Sequence, residues 1–101
     1  MTQTEILDVV RRYRAENSGR YPIVRLGIFG SVARTHIGDT AISDKSDVDI
    51  VVELDEPDLF MIIGIKQELE ALLHRPVDIV RYRQQMNPEL KQRIEADAVY
   101  V

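Results

Sequence analysis

The sequence predicts a small α/β domain, a mixed sheet flanked by helices. Three observations carry that expectation. Segments rich in β-branched residues alternate with segments of helical periodicity, in the order α-β-α-β-α-β-α. The chain has 101 residues, room for one domain over 1–101 and one modest core. Apolar residues make up 45% and charged residues 30%, which is globular rather than disordered composition.

Each element follows from local chemistry. Thr2 and Glu5 have capping-box spacing ahead of an apolar stripe at Ile6, Val10 and Tyr13. Asp8 stands four residues before Arg12, a helix-supporting pair, and Asn17-Ser18-Gly19 supplies a stop. The first helix is therefore read over about residues 3–17. After Pro22, Ile23 to Phe29 reads as a strand. It runs into Gly30-Ser31, and Val32-Ala33-Arg34 begins a short helix with Ser31 near its N-terminus, where it could serve as the cap. Residues 35–46 are polar and turn-rich and read as a loop.

Val48 to Leu54 is the second strand. Asp55-Glu56-Pro57-Asp58 opens a long helix with apolar positions at Leu59, Ile62, Ile65, Leu69, Leu72 and Leu73. The stripe through Leu59, Ile62, Leu69 and Leu72 reads as core. Phe60, Met61 and Ile63 widen the apolar face beyond one stripe, enough to offer part of it to a partner. His74-Arg75-Pro76 ends the helix, and Val77 to Val80 is a third strand. Asn87-Pro88 is an N-cap followed by Pro at the first helical position. A last helix runs to about Ala96. The terminal Ala98-Val99-Tyr100-Val101 is either a fourth strand or a tail.

Composition narrows the function. Thirteen Lys and Arg against seventeen Asp and Glu leave a net charge of −4, which argues against general binding of a nucleic acid backbone. Cysteine is absent, so disulfides, thiolate nucleophiles and Cys-based zinc sites are excluded. The two histidines, His36 and His74, read as surface residues. Arg11, Arg12 and Arg14 read as a solvated helix face. No apolar run approaches ~18 residues and no long h-region opens the chain, so neither a membrane span nor a secretory signal is expected. The expected location is cytoplasmic.

The chemistry lies in Gly30-Ser31, then Ser46-Asp47-Val48-Asp49, then Asp78. Nine aspartates in this chain give roughly one Asp-x-Asp pair by chance, and Gly-Ser after a strand is equally weak alone. Placement raises the odds. Residues i and i+2 of a strand share a face, so Asp47 and Asp49 lie side by side while Val48, Ile50, Val52 and Leu54 form an apolar row on the other face. Adjacent carboxylates repel unless a cation is present. Mg²⁺ takes such oxygen ligands together with substrate phosphates. Asp78 sits inside an apolar strand, where a carboxylate is costly without a partner or a job. The alternatives are plain: a solvated turn for Asp47 and Asp49, and a water-facing edge carboxylate for Asp78. At the strand-to-helix turn, Gly30 permits close backbone approach and Ser31 offers a hydroxyl. Arg34 can touch phosphate or pair with a nearby Asp.

At these residues the chain resembles the nucleotidyltransferase superfamily of the polymerase-β type, in particular its minimal nucleotidyltransferase (MNT) members. The matching pieces are Gly30-Ser31-Val32-Ala33-Arg34, Ser46-Asp47-Val48-Asp49-Ile50-Val51-Val52 and Arg75-Pro76-Val77-Asp78-Ile79-Val80. Two departures stand between them. Thr35 occupies a position where Gly commonly follows Ala-Arg, and the stretch up to Ser46 is longer than the family's usual turn. Ser43-Asp44 is a competing partial match, but only Asp47 and Asp49 run directly into an apolar strand.

The resemblance implies that Gly30 and Ser31, with Arg34, bind the triphosphate of ATP. It implies that Asp47, Asp49 and Asp78 are the catalytic and metal-binding carboxylates, holding two Mg²⁺ ions, with Asp78 helping to activate the acceptor hydroxyl. The reaction would be nucleotidyl transfer with release of pyrophosphate. The core leaves little mass to orient an acceptor, so the acceptor is expected on a partner. MNT proteins commonly act as antitoxins to HEPN-domain ribonuclease toxins, transferring AMP from ATP to a toxin tyrosine. The resemblance therefore implies a hetero-oligomer with a HEPN-type toxin. Two other readings remain: a non-catalytic antitoxin that neutralises the toxin by covering it, and a small-molecule nucleotidyltransferase.

Overall fold

The first helix, α1 (Gln3–Glu16), starts where the capping box predicts it. The Thr2 hydroxyl accepts the Glu5 amide proton at 3.2 Å, and the Glu5 carboxylate accepts the Thr2 amide proton at 3.1 Å. Asn17 ends the helix and its side-chain amide donates to the Tyr13 carbonyl. The predicted Asp8–Arg12 pair is instead Asp8–Arg11, at 2.8 Å. Both side chains are exposed, so the choice between i+3 and i+4 partners carries little energy. In this computed structural model, residues 1–34, 42 and 46–101 are described; most of the predicted 35–46 loop, including Thr35, His36 and Ser43-Asp44, lies outside them.

Strand β1 (Ile23–Phe29) leads into a four-residue helix, α2 (Gly30–Ala33). Then follow β2 (Val48–Leu54), α3 (Leu59–Leu73), β3 (Val77–Arg81), α4 (Pro88–Asp97) and β4 (Val99–Tyr100). The terminal segment is thus a strand, one of the two outcomes its sequence left open. The sheet has the order β3-β2-β1-β4. Strand β1 is antiparallel to both β2 and β4, whereas β2 and β3 are parallel. The parallel pair needs a crossover, and α3 provides it.

Gly27 explains how β4 reaches the sheet. A Cβ there would stand 2.4 Å from the Val99 carbonyl oxygen and 2.9 Å from the Tyr100 Cα. Any side chain would push the short strand off the edge. Arg14 of α1 holds the same end, donating to the Val101 and Val24 carbonyls.

The two sheet faces are covered differently. One carries Leu26, Ile28, Val48, Ile50 and Val52 against Ile6, Val10 and Tyr13 of α1 and Ile65, Leu69 and Leu73 of α3. Each such fully buried side chain contributes about 1.5–3 kcal/mol. The other face carries Phe29 and Val51 beneath Ile94 of α4. The sequence reading of β2 as apolar on one face only therefore needs correction: Val51, on the carboxylate face, is fully buried too.

Helix α3 also departs from expectation. Ile65, Leu69 and Leu73 are its buried row, while Leu59 and Leu72, read as core, are 70% and 49% exposed. Asp58 caps the helix through the Phe60 amide. Leu59 and Phe60 fall in the first turn, before the helix has reached the sheet. His74 closes the helix in the left-handed conformation (φ 55°), an exposed position that fits its reading as a surface residue. Among the described residues no helix is long and apolar enough to cross a membrane.

Candidate functional site

Asp47 precedes β2, Asp49 is its second residue, and Asp78 is the second residue of β3. In the parallel ladder Asp49 is in register with Asp78. Neighbouring strands run about 4.8 Å apart, and paired residues present their side chains to the same face. The register therefore brings together two carboxylates that are far apart in sequence, with Asp47 two residues along on the same side. Asp47 and Asp78 are exposed and Asp49 is half-buried.

None of the three makes an ion pair or side-chain hydrogen bond among the described residues. Burial raises the Asp49 pKa above the ordinary carboxylate value, and the neighbouring Asp78 raises it further. Arg93 opposes this, Asp47 adds to it, and Arg34 opposes it. Desolvation and like charge thus act together on one group, an arrangement common where a carboxylate awaits a cation. Among the described residues no three acidic or histidine side chains converge closely enough to form a metal-binding group by themselves.

Gly30 closes the site from the β1 side. Phe29 pairs with Asp49 across the β1–β2 ladder, so the next residue turns over the carboxylate. Gly30 has φ +73°, and a Cβ there would lie 2.2 Å from the Asp49 Oδ2. Glycine is required twice: for a backbone angle that L side chains rarely adopt and for space beside a carboxylate. Sequence reasoning predicted close approach at Gly30; the group approached here is Asp49 itself.

Ser31 lies in the first turn of α2 and is exposed. It is not the helix cap, because α2 begins at Gly30 and its N-cap is Phe29, which makes no side-chain cap bond. The helix starts two residues earlier than its sequence suggests because the positive φ of Gly30 makes the turn. The far end of α2 is tied down by α1, where the Gln3 amide donates to the Val32 and Ala33 carbonyls at 2.9 and 3.2 Å. Arg34, the C-cap of α2, donates to Asp97 of α4 at 2.8 Å. That is the second of its two anticipated roles.

Sequence reasoning missed Arg93 and Asp97. Both lie on α4, one turn apart on one side of the helix. Their spacing was visible, but which side of α4 faces the carboxylates depends on Ile94 packing against Phe29 and Val51.

The far end of the same sheet face looks different. Arg25 donates to Glu53 at 2.7 Å. Its guanidinium carbon lies 4.7 Å from the ring centres of both Tyr82 and Tyr100. This end is neutralised and stacked, whereas the Asp49 end is acidic.

Comparison with known proteins gives the family of the chain and of its fold. The chain is 31% identical to protein adenylyltransferase MntA of Thermococcus cleftensis over 102 residues, spanning 100% of this chain and 97% of that protein. A solved structure described as a putative minimal nucleotidyltransferase superposes with a TM-score of 0.74 at 30% identity, covering 98% of this chain and 95% of the other. A complex of tri-AMPylated Shewanella oneidensis HEPN toxin with MNT antitoxin matches at a TM-score of 0.59 over 97% of this chain and 66% of the other. Its 19% identity makes that a likeness of fold. Residues 15–101 match the family described as polymerase beta, nucleotidyltransferase, and the chain belongs to that family.

Proposed function

We propose that residues 1–101 act as one nucleotidyltransferase domain that transfers AMP from ATP to a tyrosine hydroxyl of a HEPN-type toxin, in a cytoplasmic antitoxin–toxin complex. The observation that carries this reading is the register of Asp49 with Asp78 beside Asp47, three carboxylates that make no ion pair among the described residues. An all-oxygen, like-charged donor set fits a hard divalent cation. Asp47, Asp49 and Asp78 would hold Mg²⁺, two ions in our reading, with nucleotide phosphates completing the oxygen shell. Bound there, the metal would supply charge stabilisation to the attacking and leaving oxygens.

The chain's own residues do the rest. Gly30 and Ser31 would seat the triphosphate beside Asp49. Asp78 would take the proton of the acceptor hydroxyl. The hydroxyl oxygen bonds to the α-phosphorus, the bond from that phosphorus to the bridging oxygen breaks, and pyrophosphate leaves. Protein adenylylation is supported by the 31% identity to MntA over the whole chain. The toxin as acceptor is supported by the AMPylated HEPN complex of the same fold.

The exposed apolar residues Leu59, Phe60 and Ile63 open α3, at the end of β2 away from Asp47 and Asp49. A partner seated only there would not bring an acceptor to the carboxylates. This placement separates covering a toxin from modifying it.

The test is mass spectrometry of the toxin after incubation with this protein, ATP and Mg²⁺. Wild type is expected to add AMP. The Asp47→Asn/Asp49→Asn variant should add none, a loss of at least ~10³-fold, and should fail to protect cells even while bound. Full protection by that variant would establish neutralisation by binding. Transfer to a small molecule alone would make the protein a small-molecule nucleotidyltransferase.

A further inference from the structure

We propose that Arg93 is the cation of this site that meets the nucleotide's phosphates, and that Arg34 instead holds α4 in position through Asp97. This rests on the nucleotidyltransferase reading above and deepens it by dividing two arginines between binding and positioning.

The division follows from what each guanidinium already does. Arg34 is committed: its Nη1 lies 2.8 Å from the Asp97 carboxylate, which is largely shielded from water. That bond ties the last turn of α4 to the residue closing α2, the helix that Gly30 and Ser31 begin. Arg93 is exposed and makes no ion pair or hydrogen bond among the described residues. Its backbone position is nonetheless fixed. The next residue, Ile94, is fully buried against Phe29 and Val51. Phe29 is the cross-strand partner of Asp49, and Val51 is its next neighbour on the same face. Asp97, one turn along, is held by Arg34. A helix pinned at both points carries Arg93 at the acidic end of the sheet.

The chemistry gives a purpose to this cation, which is unpaired among the described residues. A triphosphate adds negative charge to a site that already holds three carboxylates, and divalent metal offsets only part of it. A guanidinium suits phosphate oxygens because its fork donates two parallel hydrogen bonds. An arginine spent on Asp97 cannot offer both without releasing α4. Among the described residues Arg93 has no bond to give up when it turns to the ligand.

The experiment is titration calorimetry of the full chain with ATP and Mg²⁺, alongside thermal melting without nucleotide. Arg93→Ala and Arg93→Gln should each weaken ATP binding roughly tenfold and shift melting by less than about 2 °C. Arg93→Lys should recover part of the affinity. Asp97→Asn should behave in the opposite sense, lowering the melting temperature by roughly 4–8 °C because the latch is lost. Affinity within twofold of wild type in either neutral Arg93 variant overturns the proposal. So does a melting loss above about 5 °C in both, which would make Arg93 structural. In those cases wild-type binding still stands and only the arginine assignment fails. If wild type itself binds no ATP with Mg²⁺, the nucleotide reading and this inference fall together.

Discussion

Asp49 and Glu53 lie on the same face of β2, four residues apart, and their surroundings are opposite. Glu53 meets a guanidinium at 2.7 Å, itself stacked between Tyr82 and Tyr100. Asp49 meets Asp78 in register and Asp47 alongside, under a glycine with no side chain to offer. Among the described residues, one strand thus carries a paired carboxylate at one end and an unpaired one at the other. Glu53 helps to hold the edge strand, since Tyr100 belongs to β4 and its ring rests on Arg25. Burial and like charge set an electrostatic cost on the Asp49 carboxylate, a cost that a bound cation would offset under the function proposed above. The contrast separates a carboxylate paired with a guanidinium from one set beside like charges, although composition cannot tell an Asp from a Glu in this respect.

Three substitutions probe the contrast, from the largest expected effect to the smallest. Gly30→Ala should be the most damaging. It forces a side chain into a positive φ and against the Asp49 carboxylate. The expected cost is on the order of 2–3 kcal/mol, or at least roughly 10 °C of melting temperature for a domain of this size. A melting curve that superposes on wild type would show that the turn does not press on Asp49. Arg25→Ala comes next. It removes two cation–π contacts and a half-exposed ion pair, together worth about 1–2 kcal/mol. Melting should fall by roughly 5–8 °C, while ATP binding measured by calorimetry stays intact. Parallel loss of nucleotide binding would mean that the two ends of the sheet face are not separable.

Asp49→Asn should have the smallest effect on stability and the opposite sign. In a metal-free buffer it should melt higher than wild type by roughly 2–4 °C at neutral pH. The sign follows from linkage. The folded-state pKa of Asp49 is raised, chiefly by burial and then by Asp78, so the folded protein binds this proton more tightly than the unfolded chain. Wild type loses stability as pH rises from the unfolded value, near 3.8, through the raised folded value. The advantage of the Asn variant should therefore vanish below about pH 3.8 and be complete at neutral pH. A variant that melts lower than wild type at neutral pH would place Asp49 with Glu53 as a structural carboxylate. Added Mg²⁺ with ATP should stabilise wild type and leave the variant nearly unmoved.

The start of α1 was legible because Thr2 and Glu5 satisfy each other's amides within one turn, and that chemistry involves no distant residue. Asn87 and Pro88 gave the start of α4 for the same reason. The β-branched runs gave β1 and β2 at their observed bounds. Local reading failed where a distant surface decides. Leu59 and Leu72 have the periodicity of core residues, yet only contact with the sheet determines which row of α3 is buried. Ser31 has the chemistry of a cap, but the φ of Gly30 moves the helix start by two residues. Arg34 could have met phosphate or a carboxylate, and its choice of Asp97 depends on where a helix some sixty residues later comes to rest.

By itself the sequence determined the order of the first seven elements and the caps of α1 and α4, and it singled out three aspartates, because periodicity and hydrogen bonding within a few residues express themselves locally. It also placed Asp47 and Asp49 on one strand face, since strand geometry repeats every two residues. Only the tertiary structure decided that Asp78 stands in register with Asp49, that Glu53 is paired with Arg25 while Asp49 has no ion pair among the described residues, and that α4 carries Arg93 to the acidic end. Those are matters of strand register and helix docking. Register is fixed by which apolar rows interlock across the sheet, and the position of α4 by where Ile94 finds Phe29 and Val51. Both depend on burial between segments far apart in the chain, which no local pattern encodes.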